Sequence, residues 1–387
     1  MKEGWEYKTL GEVATYINGF PFKPSDWGTD GLPIIRIQNL TGTQQLFNKC
    51  SRNDIPEKYI VRNGDVLISW SATLGVFEWK LDDAFLNQHI FKVVFDKVEI
   101  NKRYFEYAIL ISINIMSQQT NGATMKHIRK GDFDNIEIPV PPLSEQQRIV
   151  DYLDSAFAKI DAMKANAEKR LNEAKALFQA SLKEMLEPKE GWEEKSMKEI
   201  VHPDCSLSYG IVQPGEHIDD GVPVVRPVDF NNKVIVRVEG LKRTKKEISD
   251  AYKRTILKGG EILLCVRGTT GTMGLASDEL QGCNVTRGIV PIFFDEHANK
   301  MFVYYQLLSP KLQTEIQKKT TGAALKQINI KDLRALHLFF PSLSEQQAIV
   351  ETLNSLKSKV DRLQANYEKI SQECDALKQA ILRQVFE

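Results

Sequence analysis

The sequence has no hydrophobic run of the roughly 18 residues needed to cross a bilayer. Its opening residues, MKEGWEYKTL, lack the apolar stretch of a secretory signal. Both absences lead us to expect a cytoplasmic protein with no membrane partner. Net charge is missing too, since 51 Lys and Arg balance 51 Asp and Glu. That excludes a histone-like polycation and an acidic tail, but not a basic face offset elsewhere. The five cysteines (Cys50, Cys205, Cys265, Cys283, Cys374) are scattered, with no C-x-x-C pair. They are expected as reduced thiols, not as a zinc or redox site.

Catalytic signatures are also absent. The stretch Gly268–Gly274 is glycine-rich but lacks the lysine of a phosphate loop, and there is no H-E-x-x-H or G-x-S-x-G. None of His89, His127, His202, His217, His297 and His337 stands four residues from another, so no helical metal pair is expected. Pro141-Pro142-Leu143 reads as a turn before a helix, not as the Asn-Pro-Pro-aromatic loop of an adenine methyltransferase.

What is present is duplicated. Residues 120–147 and 320–347 match at 12 of 28 positions without a gap, both ending in L-S-E-Q-Q. Further echoes are Gly4-Trp5-Glu6 with Gly191-Trp192-Glu193, GLPIIRIQNL (31–40) with GVPVVRPVDF (221–230), and NGDVLISWSATLG (63–75) with GGEILLCVRGTTG (259–271). The offset between copies grows along the chain, as short insertions between fixed elements would produce. At roughly 100–200 residues per domain, 387 residues fit two such copies.

Each L-S-E-Q-Q opens a long helical pattern, expected over about Ser144–Leu186 and Ser344–Phe386. Ser144 and Ser344 read as N-caps, with Gln147 and Gln347 at capping-box spacing and Pro141 and Pro341 upstream. In the second run Ile349, Leu353, Leu356, Val360, Leu363, Tyr367, Ile370, Cys374, Leu377 and Ile381 form a heptad seam. The first run shows Val150, Leu153, Phe157, Ile160, Ala167, Leu171, Ala174 and Phe178, interrupted by polar Lys164 and stopped by Pro188. Neither contains Gly or Pro, so each would extend about 60–65 Å.

The remaining blocks carry short β-like runs (Pro33–Ile37, Val66–Trp70, Ile90–Phe95, Val222–Val225, Val234–Val238, Ile262–Val266, Ile289–Phe294) and short helices near Arg103–Met116 and Met301–Gln317. The expected fold is α+β: two similar, mostly-β domains (1–142 and 188–342), each followed by a long helix (143–187 and 343–387). A short link after the first helix turns the second back antiparallel, giving a coiled coil and a pseudo-two-fold relation between the copies.

Loop residues suit nucleic acid. The first block offers Lys23, Arg36, Gln38, Ser69, Trp70, Thr73, Gln88 and His89; the second offers Tyr209, Arg226, Arg267, Thr269, Thr270, Thr286 and Arg287. Arg matches guanine, and Asn or Gln adenine, by two-point hydrogen bonding in the major groove. Lys242, Arg243, Lys245, Lys246, Lys253, Arg254 and Lys258 form a basic stretch suited to phosphates, though such runs are also ordinary solvated faces. Lys126 and Lys326 complete the set as the repeated lysine of T-x-G-A-x-x-K. In the expected alignment Ser69-Trp70-Ser71 stands opposite Val266-Arg267-Gly268, and Asn87-Gln88-His89 opposite Asn284-Val285-Thr286. Matching glycines with differing polar residues would make two readers of two different short sequences.

At the duplicated P-x-L-S-E-Q-Q-x-I-V (141–150, 341–350), T-x-G-A-x-x-K (120–126, 320–326), G-W-E starts and heptad helices, the chain closely resembles the specificity subunit of Type I restriction-modification systems, along essentially its whole length. The resemblance implies two target recognition domains, each reading half of a bipartite double-stranded DNA sequence. It implies that the helices set the unread spacer and dock two methyltransferase (M) subunits, with restriction/motor (R) subunits joining them. S-adenosylmethionine, ATP and Mg would then sit on those partners, with no cofactor and no catalysis on this chain. Two complete copies imply a full subunit. The segments around Gly19–Lys23, Arg36 and Ser69–Thr73 are carried over by location only, and the second block lacks a clear copy of Phe-Pro-Phe-Lys. Two other readings stay open: a self-contained methyltransferase or nuclease, which would bind S-adenosylmethionine alone, and a coiled-coil adaptor, which would be indifferent to loss of Arg36 and Arg267.

Overall fold

The structure, a computed structural model, describes residues 4–70, 74–119, 130–230, 235–294, 296–322 and 326–386. It separates into two compact units, one of residues 1–167 with 368–387, the other of residues 168–367. The chain is α+β, and each long helix gives one half to each unit.

In the first unit Val66–Ser69 is the organising strand, buried at every position. Side chains alternate across a strand. Val66 and Ile68 therefore join a core with Tyr104, Phe105 and Phe133, while Leu67 joins Ile35, Leu86 and Ile90 on the opposite face. The strand lies in an antiparallel sheet ordered Thr15–Asn18, Ile90–Val94, Val66–Ser69, Gly75–Glu78. A second sheet orders Lys49–Cys50, Leu32–Ile35, Ala84–Leu86 and Ile60–Val61, with its middle pair parallel.

The second unit repeats this plan. Ile262 and Leu264 face a core shared with Phe302 and Tyr305, while Leu263 and Cys265 face Val225 and Val285. Val222–Val225 again pairs in parallel with its partner, here Asn284–Val285. All five cysteines are buried and unbonded to one another. Burial pushes the Cys265 thiol up to about 12.

The long helices run Leu143–Met185 and Leu343–Phe386. Within the first unit their segments pack antiparallel: Lys164 meets Asp375 at 3.2 Å, Asp161 pairs with Lys378, and Leu382 and Phe386 enter the core beside Ile149, Val150 and Leu153. The apparent break at Lys164 is thus an ion pair across helices. Within the second unit Phe178, Leu182 and Leu186 share a core with Ile349, Leu353 and Val360. The expected seam fails at Leu377, which is 48% exposed. From Cys374 onward the buried positions are Leu382 and Phe386, because this end of the helix packs on the globular core and not only on its partner helix.

The capping reading needs correction. Leu143 and Leu343 are already helical, so Ser144 and Ser344 lie inside the first turn. Ser342 Oγ accepts the Glu345 N–H at 3.3 Å; Pro142 occupies the matching place in the first copy, and its carbonyl takes the Glu145 N–H at 2.9 Å. The glutamines serve otherwise. Buried Gln146 donates to the Pro141 carbonyl and accepts the Asn101 N–H, both at 2.8 Å. Gln147 accepts from the Asn101 side chain at 2.9 Å. Gln346 and Gln347 repeat these bonds on Pro341 and Asn299. The repeated Q-Q is a clamp joining the start of each long helix to the start of an earlier helix, Lys102–Gln119 in the first copy and Lys300–Leu308 in the second.

Candidate nucleic-acid interface

In each unit four loops leave the sheets at one edge. In the first unit the parallel pair ends with Ile35 beside Leu86, so Arg36 and Asn87 emerge on neighbouring strands, and Asn87 N–H donates to Ile35 O at 3.3 Å. Gln88 N–H bonds the Phe20 carbonyl and Trp70 N–H the His89 carbonyl. These bonds tie the segments bearing Arg36, Gln88, His89, Trp70 and Gly19–Lys23 into one surface. Gly19 permits it: a Cβ there would sit 2.0 Å from Asn87 O. His89 has φ +72°, a left-handed conformation rare for a side-chain-bearing residue. Its ring meets Trp70 edge-on at 5.0 Å, and Trp70 donates to Asn18 Oδ1 at 3.3 Å.

Lys23 and Gln38 are exposed near this surface, whereas Ser69 is fully buried, its hydroxyl 3.5 Å from Gly75 O. Phe22 is buried at 6% exposure in the core and presents no stacking face. Thr73 and Lys126 lie outside the described residues.

The second unit forms the corresponding surface with other side chains. Thr286 N–H bonds Val225 O, Arg287 N–H bonds Ile211 O, and Val266 N–H bonds Gly288 O. These three bonds match those of Asn87, Gln88 and Trp70. The counterparts are therefore Asn87-Gln88-His89 with Thr286-Arg287-Gly288, two residues on from the expected pairing, and Trp70 with Val266, as the match of 63–75 to 259–271 has it and the pairing of Ser69-Trp70-Ser71 with Val266-Arg267-Gly268 does not. Asn284 is instead a buried hub that accepts from Thr255 Oγ1 at 2.7 Å and donates to Ser249 Oγ at 3.0 Å. The missing copy of the Gly19-Phe20 segment is Gly210-Ile211. Gly210 packs 2.0 Å (as a Cβ) from Val285 O, and that shared glycine was the available signal.

Around this edge Arg267 bridges to Gln327, and Tyr209 donates to Ile328 O at 3.1 Å while accepting from Gln327. Gly268 N–H and Thr270 Oγ1 both bond the Lys326 carbonyl, leaving Thr269 and the Lys326 ammonium exposed. No carboxylate pairs with Arg267, Arg287 or Lys326 among the described residues.

Arg226 differs. Asp229 takes its Nε at 3.1 Å and its Nη2 at 2.7 Å, raising the guanidinium above its ordinary pKa. At the matching place Arg36 has Asn39, which accepts only the Arg36 backbone N–H.

The basic stretch is not one face. Lys242 pairs opposite Val224, close to Arg226, but Arg243 reaches back to the Gly221 carbonyl at 3.1 Å. Lys246 pairs with Asp250 at 3.0 Å and Lys258 with Asp204 at 3.6 Å. Among the described residues no group of three or more His, Cys, Asp or Glu is placed to hold a metal, and no helix is long and apolar enough to cross a membrane.

A family profile described as the Type I restriction modification DNA specificity domain matches residues 2–173 and again 189–372. The chain belongs to this family. It is a specificity subunit, the DNA-recognition component of a Type I restriction-modification complex and not the catalytic one. The Type I restriction enzyme EcoBI specificity subunit of Escherichia coli is 28% identical, covering 100% of this chain and 86% of that protein. The MjaVIII specificity subunit of Methanocaldococcus jannaschii is 24% identical over 96% of this chain and 90% of its own length. A chain solved in work on assembly and conformational transition of the type I R-M system shares the fold with a TM-score of 0.75, at 19% identity and covering 100% and 98% of the two chains. The HsdS subunit from Thermoanaerobacter tengcongensis has a TM-score of 0.52 at 18% identity, covering 100% and 97%.

Proposed function

We propose that this specificity subunit reads a bipartite double-stranded DNA target, one half through each unit. The observation that carries this is the same strand-edge surface occurring twice with different polar side chains. Lys23, Arg36, Gln38, Trp70, Gln88 and His89 would present one half-reader; Tyr209, Lys242, Arg267, Thr269, Arg287 and Lys326 the other. Buried Ser69 and Thr270 hold the turns beneath. Functionally, residues 1–142 and 188–342 act as target recognition domains. Residues 143–187 and 343–387 set the unread spacer and dock two methyltransferase subunits. Restriction/motor subunits complete the assembly in the cytoplasm, and S-adenosylmethionine, ATP and Mg belong to those partners. The uninterrupted helices, shared between both units and free of Gly and Pro, support the spacer role.

Methylome sequencing of cells carrying the complex tests this. Two short half-sequences separated by a fixed unread gap are expected. A single contiguous motif, or methylation without sequence preference, refutes it.

A further inference from the structure

Arg36 and Arg226 leave matching strands, each with its backbone N–H bonded to the side chain three residues on. One residue type then decides what becomes of the charge. Asp229 neutralises Arg226 through two side-chain bonds. Asn39 carries no charge, and its amide donates to the carbonyls of Gln44 at 3.0 Å and Leu46 at 3.2 Å, so it is committed to its own loop. Arg36 Nε and Nη2 are consequently buried with no hydrogen-bond partner among the described residues. The guanidinium rests over the Trp27 ring at 5.6 Å. On the adjacent strand end, Asn87 Oδ1 is also buried without a partner among the described residues.

Unpaired donors of a cation are unfavourable in a protein interior, and a cation over an aromatic ring offsets only part of that cost. Such a side chain is readily drawn out by a ligand that offers acceptors. The two orphaned groups are complementary to a single base pair: guanine presents N7 and O6 to a guanidinium, and its cytosine presents an N4 amino group to an amide oxygen.

We propose that Arg36 and Asn87 together read a G·C pair in the half-target of the first unit, whereas Arg226 is a scaffold residue that reads nothing, its role passing to Arg267 and Arg287. This rests on the DNA-reading assignment above. The two units would thus use different arginines from an equivalent framework.

The test compares methylomes of cells carrying the whole complex with the native chain, Arg36→Ala, Arg36→Lys or Arg226→Ala. With Arg36→Ala, one guanine-bearing position of one half-sequence should become degenerate, discrimination falling roughly 10- to 100-fold. Arg36→Lys should restore it only in part, since an ammonium reaches N7 and O6 without the rigid planar fork of a guanidinium. Arg226→Ala should leave both half-sequences unchanged. The Tm of the purified Arg36→Ala complex should stay within about 5 °C of the native one, because only the contact with Trp27 is lost and no hydrogen bond is removed; a larger fall would mean that Arg36 is structurally paired and would overturn the proposal. So would an unchanged motif, or a fall in marking that is uniform across sequences and rescued by Arg36→Lys, which is how a phosphate contact behaves. A native chain that marks no bipartite motif would overturn the DNA-reading assignment itself, whereas a native bipartite motif untouched by Arg36→Ala would overturn only this inference.

Discussion

Replacing Gln346 by Ala tests whether the repeated Q-Q is a structural clamp. Gln346 is 2% exposed, and its amide holds the Pro341 carbonyl and the Asn299 N–H, both at 3.0 Å. Alanine would strand a buried carbonyl, worth about 1–3 kcal/mol, and a half-buried N–H worth about 1 kcal/mol. The expected loss is therefore about 2–4 kcal/mol, or a fall in Tm of roughly 5–15 °C for a unit of this size. Gln347→Ala is the internal control. Its side chain is exposed and bonds Asn299 Nδ2 and Glu351, so it should cost under about 1 kcal/mol. Thermal and urea unfolding of both variants decide the matter. Equal losses, or a greater loss from Gln347→Ala, would refute the clamp and return the motif to a surface role.

Other perturbations follow from the same packing. Leu264→Ala removes a fully buried side chain from the core of the second unit and should cost about 2–5 kcal/mol in urea unfolding; a loss below 1 kcal/mol would contradict the core assignment. Asn284→Ala empties a buried hydrogen-bond hub and should destabilise by about 2–4 kcal/mol while leaving the DNA motif intact; a changed motif would mark it as a reader after all. Cys265, with its thiol pushed up to about 12, should resist iodoacetamide at pH 8 until the chain is unfolded, as read by mass spectrometry. Labelling at the rate of an open thiol would contradict its burial. Lys164→Ala should cost less than about 1 kcal/mol and the cost should shrink with added salt, since the pair with Asp375 is partly exposed.

Much of the fold was legible because helix and strand periodicity are local. The heptad positions Leu353, Val360 and Cys374 are buried as their spacing requires, and Val66–Ser69 is a strand as its branched residues suggest. What failed was non-local. The seam at Leu377 depends on a globular core contributed by distant residues. Asn284 looked like a copy of Asn87 because a shared residue type concealed a two-residue difference in loop length, and only the bonds to Ile35 and Val225 reveal the true counterparts. The site's polar residue types were readable, but their pairing was not: nothing in the sequence around Arg36 and Arg226 announces that a single Asn-to-Asp difference leaves one guanidinium unpaired and ties the other.

The division of the long helices between units also has a consequence for the order of synthesis. The second unit is one continuous segment, 168–367, and its parts can meet as soon as that stretch has left the ribosome. The first is discontinuous: Leu382 and Phe386 fill a core otherwise made before residue 168, with Phe386 lying against Tyr104 at 5.5 Å. Although translated first, the first unit must wait with an open apolar face while some 200 further residues are made, at about 5–20 residues per second. The unit begun second is thus the first to be complete and able to close, and the nascent chain is exposed to aggregation through its beginning rather than its end.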